Sequence, residues 1–259
     1  MTSTWGSDAL SDDAFLGGRF SALQPKRGFR SGVDAVLLAA AVPARAGDSV
    51  LELGAGVGVA SLCLAARVDG LRQVAVERQE AYADLARQNA ARCGTELEVI
   101  TAALEDLPKD LRQCQFDHVF ANPPYFRASA RSAGADRGRE EGMAEETPLE
   151  VWIDTAARRL APKGVLTLIH RAERLAQLLA ALDQRLGSLL IQPLAAREGA
   201  EAGLILLQAR KGGRADLRLL APIVMHQGTR HGGDRESYTP QINDVLRNGA
   251  ALSLGQRAD

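Results

Sequence analysis

Short runs of consecutive apolar residues alternate along this chain with longer stretches in which apolar residues recur every three or four positions. The runs "SVLELGAG", "QVAVE", "LEVIT", "FDHVFANPP" and "GVLTLIHR" begin as strands buried on both faces. Between them, "VGVASLCLAARV", "RQEAYADLARQNAARCG" and "PLEVWIDTAARRLAPKG" carry the helical period, the second closing on Gly94 as C-cap. A short apolar helix over 33–45, closed by Pro43 and Gly47, precedes the first run, and "AERLAQLLAALDQRLG" reads as a further helix. "SLLIQPLAA" and "AGLILLQAR" lie close together and predict an antiparallel edge hairpin. Strands alternating with helices of this length predict an α/β fold with right-handed βαβ units. The expected architecture is a doubly wound, mostly parallel, seven-stranded Rossmann-like sheet. It forms a single domain over 19–259 behind a polar, flexible tail over 1–18.

Composition narrows the class without changing that picture. Hydrophobic residues make up 46% of the 259, enough for a packed core, and charged residues at 24% are ordinary for a soluble protein. The formal net charge of -1 supplies no global positive field toward nucleic acid. Cys63, Cys93 and Cys114 form an odd set without metal spacing, and each lies in an apolar or amphipathic segment. They read as buried, reduced thiols in a cytoplasmic protein. His226 and His231 have no metal-ligand company, and His170 ends a strand in a structural position. The N-terminus lacks the basic and apolar regions of a secretory signal, and no window reaches the eighteen apolar residues of a membrane span.

In such sheets ligands bind beyond the carboxyl ends of the central strands. Two unusual stretches fall there, "ELGAGVG" and "VFANPPYFR". In the first, Gly54, Gly56 and Gly58 join a strand to a helix, letting the backbone turn sharply and approach a ligand. The dinucleotide fingerprint would place its third glycine at 59, where Val59 stands, and no P-loop pattern is present. The GxGxG loop with its preceding acid, Glu52, resembles the cofactor loop of class I S-adenosylmethionine-dependent methyltransferases. Glu77, ending the second strand 19 residues after Gly58, is placed to accept both ribose hydroxyl protons of such a cofactor.

The second stretch carries the reaction. In "NPPY", Pro123 and Pro124 remove two donors, fix two φ angles and push the chain into a rigid extended turn. The motif resembles that of methyltransferases acting on planar amino groups. An exocyclic adenine amine or a primary amide is a weak nucleophile because its lone pair is delocalised. The Asn122 side-chain oxygen and the Pro123 carbonyl can take its two hydrogens and leave the lone pair aimed at the methyl donor. Tyr125 is expected to stack on the planar substrate.

The chain from about Phe20 to Leu254 resembles the bacterial N6-adenine methyltransferases acting on valine tRNA beside the anticodon. "QPKRGFRSGVDAVLLAA" is similar to their lead-in, and "RESYTPQINDVLRNGAAL", with Tyr238 and Thr239, to their C-terminal segment. The resemblance implies that Asp34 helps close the pocket over the methionine end of the cofactor; a helix N-terminal acid is the alternative reading. It also implies an aspartate after the third strand for the cofactor adenine, where this chain has Ala103. Either Glu105 or Asp106 substitutes, or the Leu104 backbone reads the base. Other planar-amine substrates stay open, namely a ribosomal RNA base or a protein glutamine amide. So do small-molecule O- or N-methylation and a cofactor-binding scaffold without activity. The release-factor glutamine enzymes carry a helical domain ahead of the catalytic one, which this chain is not expected to have. Local basic stretches suit a tRNA partner: Arg19, Lys26, Arg27 and Arg30 within 14–33, and six basic residues against two acids within 210–235. Arg127, Arg131, Arg137 and Arg139 follow the turn, in a stretch 127–147 that reads as a lid.

Overall fold

The computed structural model describes residues 5–127, 144–145, 147–182, 184–228 and 237–255, the backbone alone at 7, 126, 127, 144 and 145. The lid expected over 127–147, its arginines, and Arg230, His231 and Arg235 lie almost wholly outside these residues. Among these residues, thirteen strands and seven helices follow in chain order: β1 (Leu10–Phe15), β2 (Phe20–Pro25), α1 (Val33–Ala41), β3 (Ser49–Leu53), α2 (Val59–Ala65), β4 (Arg72–Glu77) and α3 (Glu80–Arg92). Next come β5 (Leu97–Thr101), α4 (Lys109–Gln113), β6 (Phe116–Ala121), β7 (Phe126–Arg127), β8 (Ala144–Glu145), α5 (Leu149–Arg159) and β9 (Leu160–Arg171). The chain closes with α6 (Leu175–Ala181), β10 (Leu186–Ala195), β11 (Ala202–Lys211), β12 (Arg218–Leu219), β13 (Ile223–Val224) and α7 (Pro240–Asn248).

The main sheet has the order β12-β10-β11-β9-β6-β3-β4-β5, with β13 beside β10. Its seven long strands are those the apolar runs predict. β5, β4, β3, β6 and β9 run parallel, and β11 is antiparallel to both β9 and β10. Two two-residue strands extend the edge at β10, beyond the predicted seven.

Helices cover both faces. On one, α1, α2, α3 and α7 pack around Leu37, Leu38, Leu64, Leu85 and Ile242; on the other, α4, α5 and α6 pack around Leu111, Ile153 and Leu178. Every residue of α1 from Ala35 to Ala41 is buried, which explains its uniformly apolar sequence.

Residues 10–15 depart from the flexible tail expected over 1–18. They form β1, paired antiparallel with β2 through six registered positions. Arg30 and Arg92 hold its acidic residues, with Asp13 and Asp12 at 2.5 and 2.6 Å. A strand with only one partner strand and charged outward positions lacks the apolar run that marks the others. The helix predicted over 148–164 stops at Arg159, and Leu160 already opens β9.

Candidate active site

Register brings the two unusual stretches together. Leu53, the last residue of β3, pairs with Val76 of β4 on one side and Ala121 of β6 on the other. The glycine loop and the Asn-Pro-Pro-Tyr turn therefore leave the sheet at the same level. A cavity of about 290 Å³ opens between them. Its wall includes Gly54, Gly56, Glu77, Leu104, Asp34 and all four residues Asn122 to Tyr125.

The loop is held from below. Gly54 and Ala55 N–H both donate to the Val76 carbonyl, at 2.8 and 3.0 Å. The Glu77 carboxylate accepts the Gly56 N–H through Oε2 and the Gln79 N–H through Oε1, both at 2.8 Å. The Arg78 N–H acts on the same carboxylate as a further backbone donor, and about four acceptor sites leave capacity for an incoming hydroxyl. Burial raises the Glu77 pKa, against the opposing pull of these backbone bonds.

Gly54 has φ 68°, and a Cβ there would run into the Trp152 ring; Gly56 has φ 56°, and its Cβ would press the Phe29 ring at 3.2 Å. These glycines let two aromatic rings close directly on the loop. Gly58 lies outside the cavity wall, where it begins α2 with φ 85°. Glu52 also lies off the wall. It is buried behind the loop and accepts the Ser61 N–H at 3.0 Å and the Ser61 hydroxyl. Desolvation raises its pKa to about 7, with the Glu77 charge adding to the shift.

Ala103 is likewise off the wall, whereas Ala102 and Leu104 are on it. Glu105 and Asp106, the two acids expected as substitutes, are exposed and off the wall. Of Ala103, Leu104, Glu105 and Asp106, Leu104 alone lines the cavity.

The Tyr125 side chain is held on several sides. Its hydroxyl donates to Asp34 Oδ2 at 2.5 Å, and its carbonyl accepts from Arg174 Nη1 at 3.0 Å. The Arg171 guanidinium sits 5.3 Å from the ring centroid, and the His170 ring packs at the same distance, tilted by 60°. Burial, the Asp34 charge and the Asp34 hydrogen bond push the tyrosine pKa up. His170 is fully buried, and desolvation, aided by Arg174 and Arg171, lowers its pKa to about 4, so the ring is neutral. Asn122 Oδ1 is buried and has no hydrogen-bond partner among the described residues.

The turn, the glycines and Glu77 are legible as local patterns. Phe29, Tyr82, Trp152, Arg171 and Arg174 are not, because each reaches the site from an element distant in sequence. Tyr82 of α3 takes the Phe29 N–H on its hydroxyl at 3.0 Å, which seats Phe29 against the loop. Among the described residues no group of three His, Cys, Asp or Glu side chains is placed to hold a metal ion. No helix among them is long and apolar enough to cross a membrane.

The family model described as "Methyltransferase small domain" matches residues 30–191. A tRNA1(Val) (adenine(37)-N6)-methyltransferase of Porphyromonas gingivalis is 34% identical over 178 residues, 65% of this chain and 69% of that protein. A protein of the same name from Tolumonas auensis is 29% identical over 181 residues, 66% of this chain and 71% of its own. Among solved structures, an Agrobacterium tumefaciens protein described as a predicted O-methyltransferase is 31% identical, with TM-score 0.68. That match covers 86% of this chain and all of the other. A Thermus thermophilus 16S rRNA N2 G1207 methyltransferase, solved with AdoMet and guanosine, shares the fold at 20% identity and TM-score 0.53. It matches 78% of this chain and 50% of its own.

Proposed function

Because this chain belongs to the methyltransferase small-domain family, we propose that it uses S-adenosylmethionine to methylate the N6 amino group of an adenine in tRNA. The observation that carries this reading is the buried, unpartnered Asn122 Oδ1 on the cavity wall, beside the Pro123 carbonyl of the same rigid turn. A buried acceptor without a donor costs about 1–3 kcal/mol unless a ligand completes it. A primary amino group on a flat ring brings the hydrogens that this pair lacks.

The residues present fit the cofactor. Two glycines bring main chain to the cavity wall, and the Glu77 carboxylate, held by backbone N–H groups, faces the cavity with acceptor capacity for a ribose hydroxyl. When bound, S-adenosylmethionine supplies a methyl group on a positively charged sulfur. Glu77 would hold the ribose hydroxyls, and the Leu104 main chain would read the adenine edge. Val76 and Trp152 supply apolar wall.

At the other end of the cavity, Asn122 Oδ1 and the Pro123 carbonyl take the two hydrogens of the target amine. These two hydrogen bonds would leave the nitrogen lone pair free of the ring and directed toward the methyl carbon that S-adenosylmethionine would supply, and the proton surplus after transfer would go to water. Preset acceptors lower the reorganisation needed at that moment. Tyr125 lines the same end and offers its ring to the base. The name of the relatives supports position 37 as the target, and a tRNA partner puts the work in the cytoplasm.

The Agrobacterium relative, described as a predicted O-methyltransferase, favours a second reading, methylation of an oxygen. An alcohol has one hydrogen and would leave one of the two acceptors unmet, so the amine fits better. The test is incubation with methyl-labelled S-adenosylmethionine and, in parallel, total tRNA, ribosomal RNA and a release factor. Label recovered as N6-methyladenosine from tRNA supports the reading. Label confined to protein, to ribosomal RNA or to an ether oxygen overturns it.

A further inference from the structure

Cations stand at both ends of the sheet, and strand register separates them. β11 runs antiparallel to β9, so Arg210 pairs with Val165, and Val165 in turn with His118, three residues before the cavity end of β6 at Ala121. The basic stretch that starts at Arg210 therefore leaves the sheet at the end away from the cavity. There the Gly212 N–H donates to the Arg185 carbonyl at 2.8 Å, just before β10 begins. Its side chains are partly spent on the chain itself. Arg210, Lys211 and Arg218 donate to the Lys163, Leu160 and Gly255 carbonyls at 3.0, 2.6 and 3.2 Å.

Arg171 lies at the other end. It is the last residue of β9, beyond the Leu168 that pairs with Ala121, and it is exposed. Its guanidinium carbon sits 5.3 Å from the centroid of the Tyr125 ring. Two other arginines at the site are committed, Arg30 to Asp13 at 2.5 Å and the buried Arg174 to the Tyr125 carbonyl at 3.0 Å. Arg78 follows Glu77 and so stands at the cofactor end of the wall. Arg171 has no carboxylate partner among the described residues. A neutral ring orients a guanidinium through its π face and, unlike an ion pair, leaves the positive charge uncancelled. The target end of the cavity thus keeps a charged planar fork beside the ring offered to the base, and such a fork matches phosphate oxygens.

A nucleotide whose base lies on Tyr125 carries a phosphodiester one sugar away, whereas a glutamine amide or a small amine carries none. We propose that Arg171 binds the phosphodiester of the target nucleotide, so that the site selects a polynucleotide over an amide side chain or a small amine. This rests on the reading of the cavity as a tRNA adenine site. It assigns a backbone contact to a residue outside all three basic stretches of the sequence, and it takes the cluster that starts at Arg210 away from the target.

The experiment measures methyl transfer to total tRNA by the full chain as wild type, Arg171→Gln, Arg171→Lys and Arg214→Gln, between about 50 and 200 mM salt. Arg171→Gln should raise KM roughly tenfold and hold kcat within about twofold. Its log(kcat/KM) should fall less steeply with log salt, by about one unit of slope, as loss of one phosphate contact does. Arg171→Lys keeps the charge and should restore the slope, with only part of KM recovered because the fork is gone. Arg214→Gln, at the other end of the sheet, should match the wild type in both. Cofactor Kd by calorimetry should stay within about twofold throughout.

A loss of kcat at unchanged KM and slope would overturn the proposal, since Arg171 would then act on the Tyr125 ring alone. So would a slope that changes in Arg214→Gln and not in Arg171→Gln. The wild type keeps two failures apart. If it labels only protein or ribosomal RNA, the tRNA reading fails and this contact with it. If it labels tRNA while Arg171→Gln keeps the wild-type KM and slope, only the phosphate contact fails. Should Arg171→Gln not fold, Arg171→Met removes the same charge and the same slope decides.

Discussion

Glu52, next to last in β3, and Glu77, last in the adjacent β4, are both buried, yet their surroundings give them different work. Glu77 faces the cavity and is tied to backbone N–H groups. Glu52 faces away and ties the glycine loop to Ser61 of α2. Its pKa, raised by burial from 4.5 to about 7, means the folded chain holds a proton that the unfolded chain has released. The stability this lends is full below pH 4.5 and is lost as pH rises through 7. A neutral Glu52→Gln variant should therefore gain on the wild type by up to about 3 kcal/mol across that window and run parallel to it above. Urea unfolding between pH 4.5 and 8.5 measures the difference. His118 and His170, whose pKa values are lowered chiefly by burial, slope the other way in both proteins and cancel. At this scale the sequence is a good guide wherever chemistry sits in one short stretch. The glycines and the Asn-Pro-Pro-Tyr turn are legible because conformation and reactivity both follow from neighbours. Glu52 is legible as an acid but not as an internal one, since the direction of its side chain depends on Ser61.

Helices and strands of the core follow their apolar patterns closely, and the misses have physical causes. β1 is missed because its acidic residues need Arg30 and Arg92, supplied from elsewhere in the chain. The short helix α7 lies among glycines, prolines and charged residues, and it becomes a helix by burying Ile242 and Val245 against α1. Asn89 shows how elements are joined. It is fully buried on α3, accepts the Leu23 N–H at 2.8 Å, and donates to the Leu23 and Val57 carbonyls at 3.0 Å each. One amide thus fastens the N-terminal hairpin and the glycine loop to the same helix. Asn89→Ala should cost about 2–4 kcal/mol, because it strands the buried Val57 carbonyl and the half-buried Leu23 N–H and carbonyl. Chemical denaturation checks the stability loss. Proteolysis of the native state should reveal early cleavage within 10–25, ahead of the rest of the chain.

Across the whole molecule, the cavity walls come from segments as far apart as Phe29 and Trp152, so cofactor binding joins regions that share little local sequence. Ligand bound only by the folded chain stabilises it by about 2.7 kcal/mol at a hundredfold excess over Kd. Saturating S-adenosylmethionine should raise Tm by roughly 5–10 °C for a chain of this size. Scanning calorimetry reads the shift, and Asn122→Ala should retain it while Glu77→Ala loses most of it. The doubly wound order was legible from strand–helix alternation, and so was the meeting of the two loops. The two edge strands were not, since two residues are too few to carry a pattern. The placement of Trp152 has a practical corollary. The protein has two tryptophans, and Trp5 instead donates its indole N–H to the Ala81 carbonyl at 3.1 Å. In a Trp5→Phe background the remaining indole is a native optical probe, whose emission should change in proportion to occupancy as the donor is titrated in.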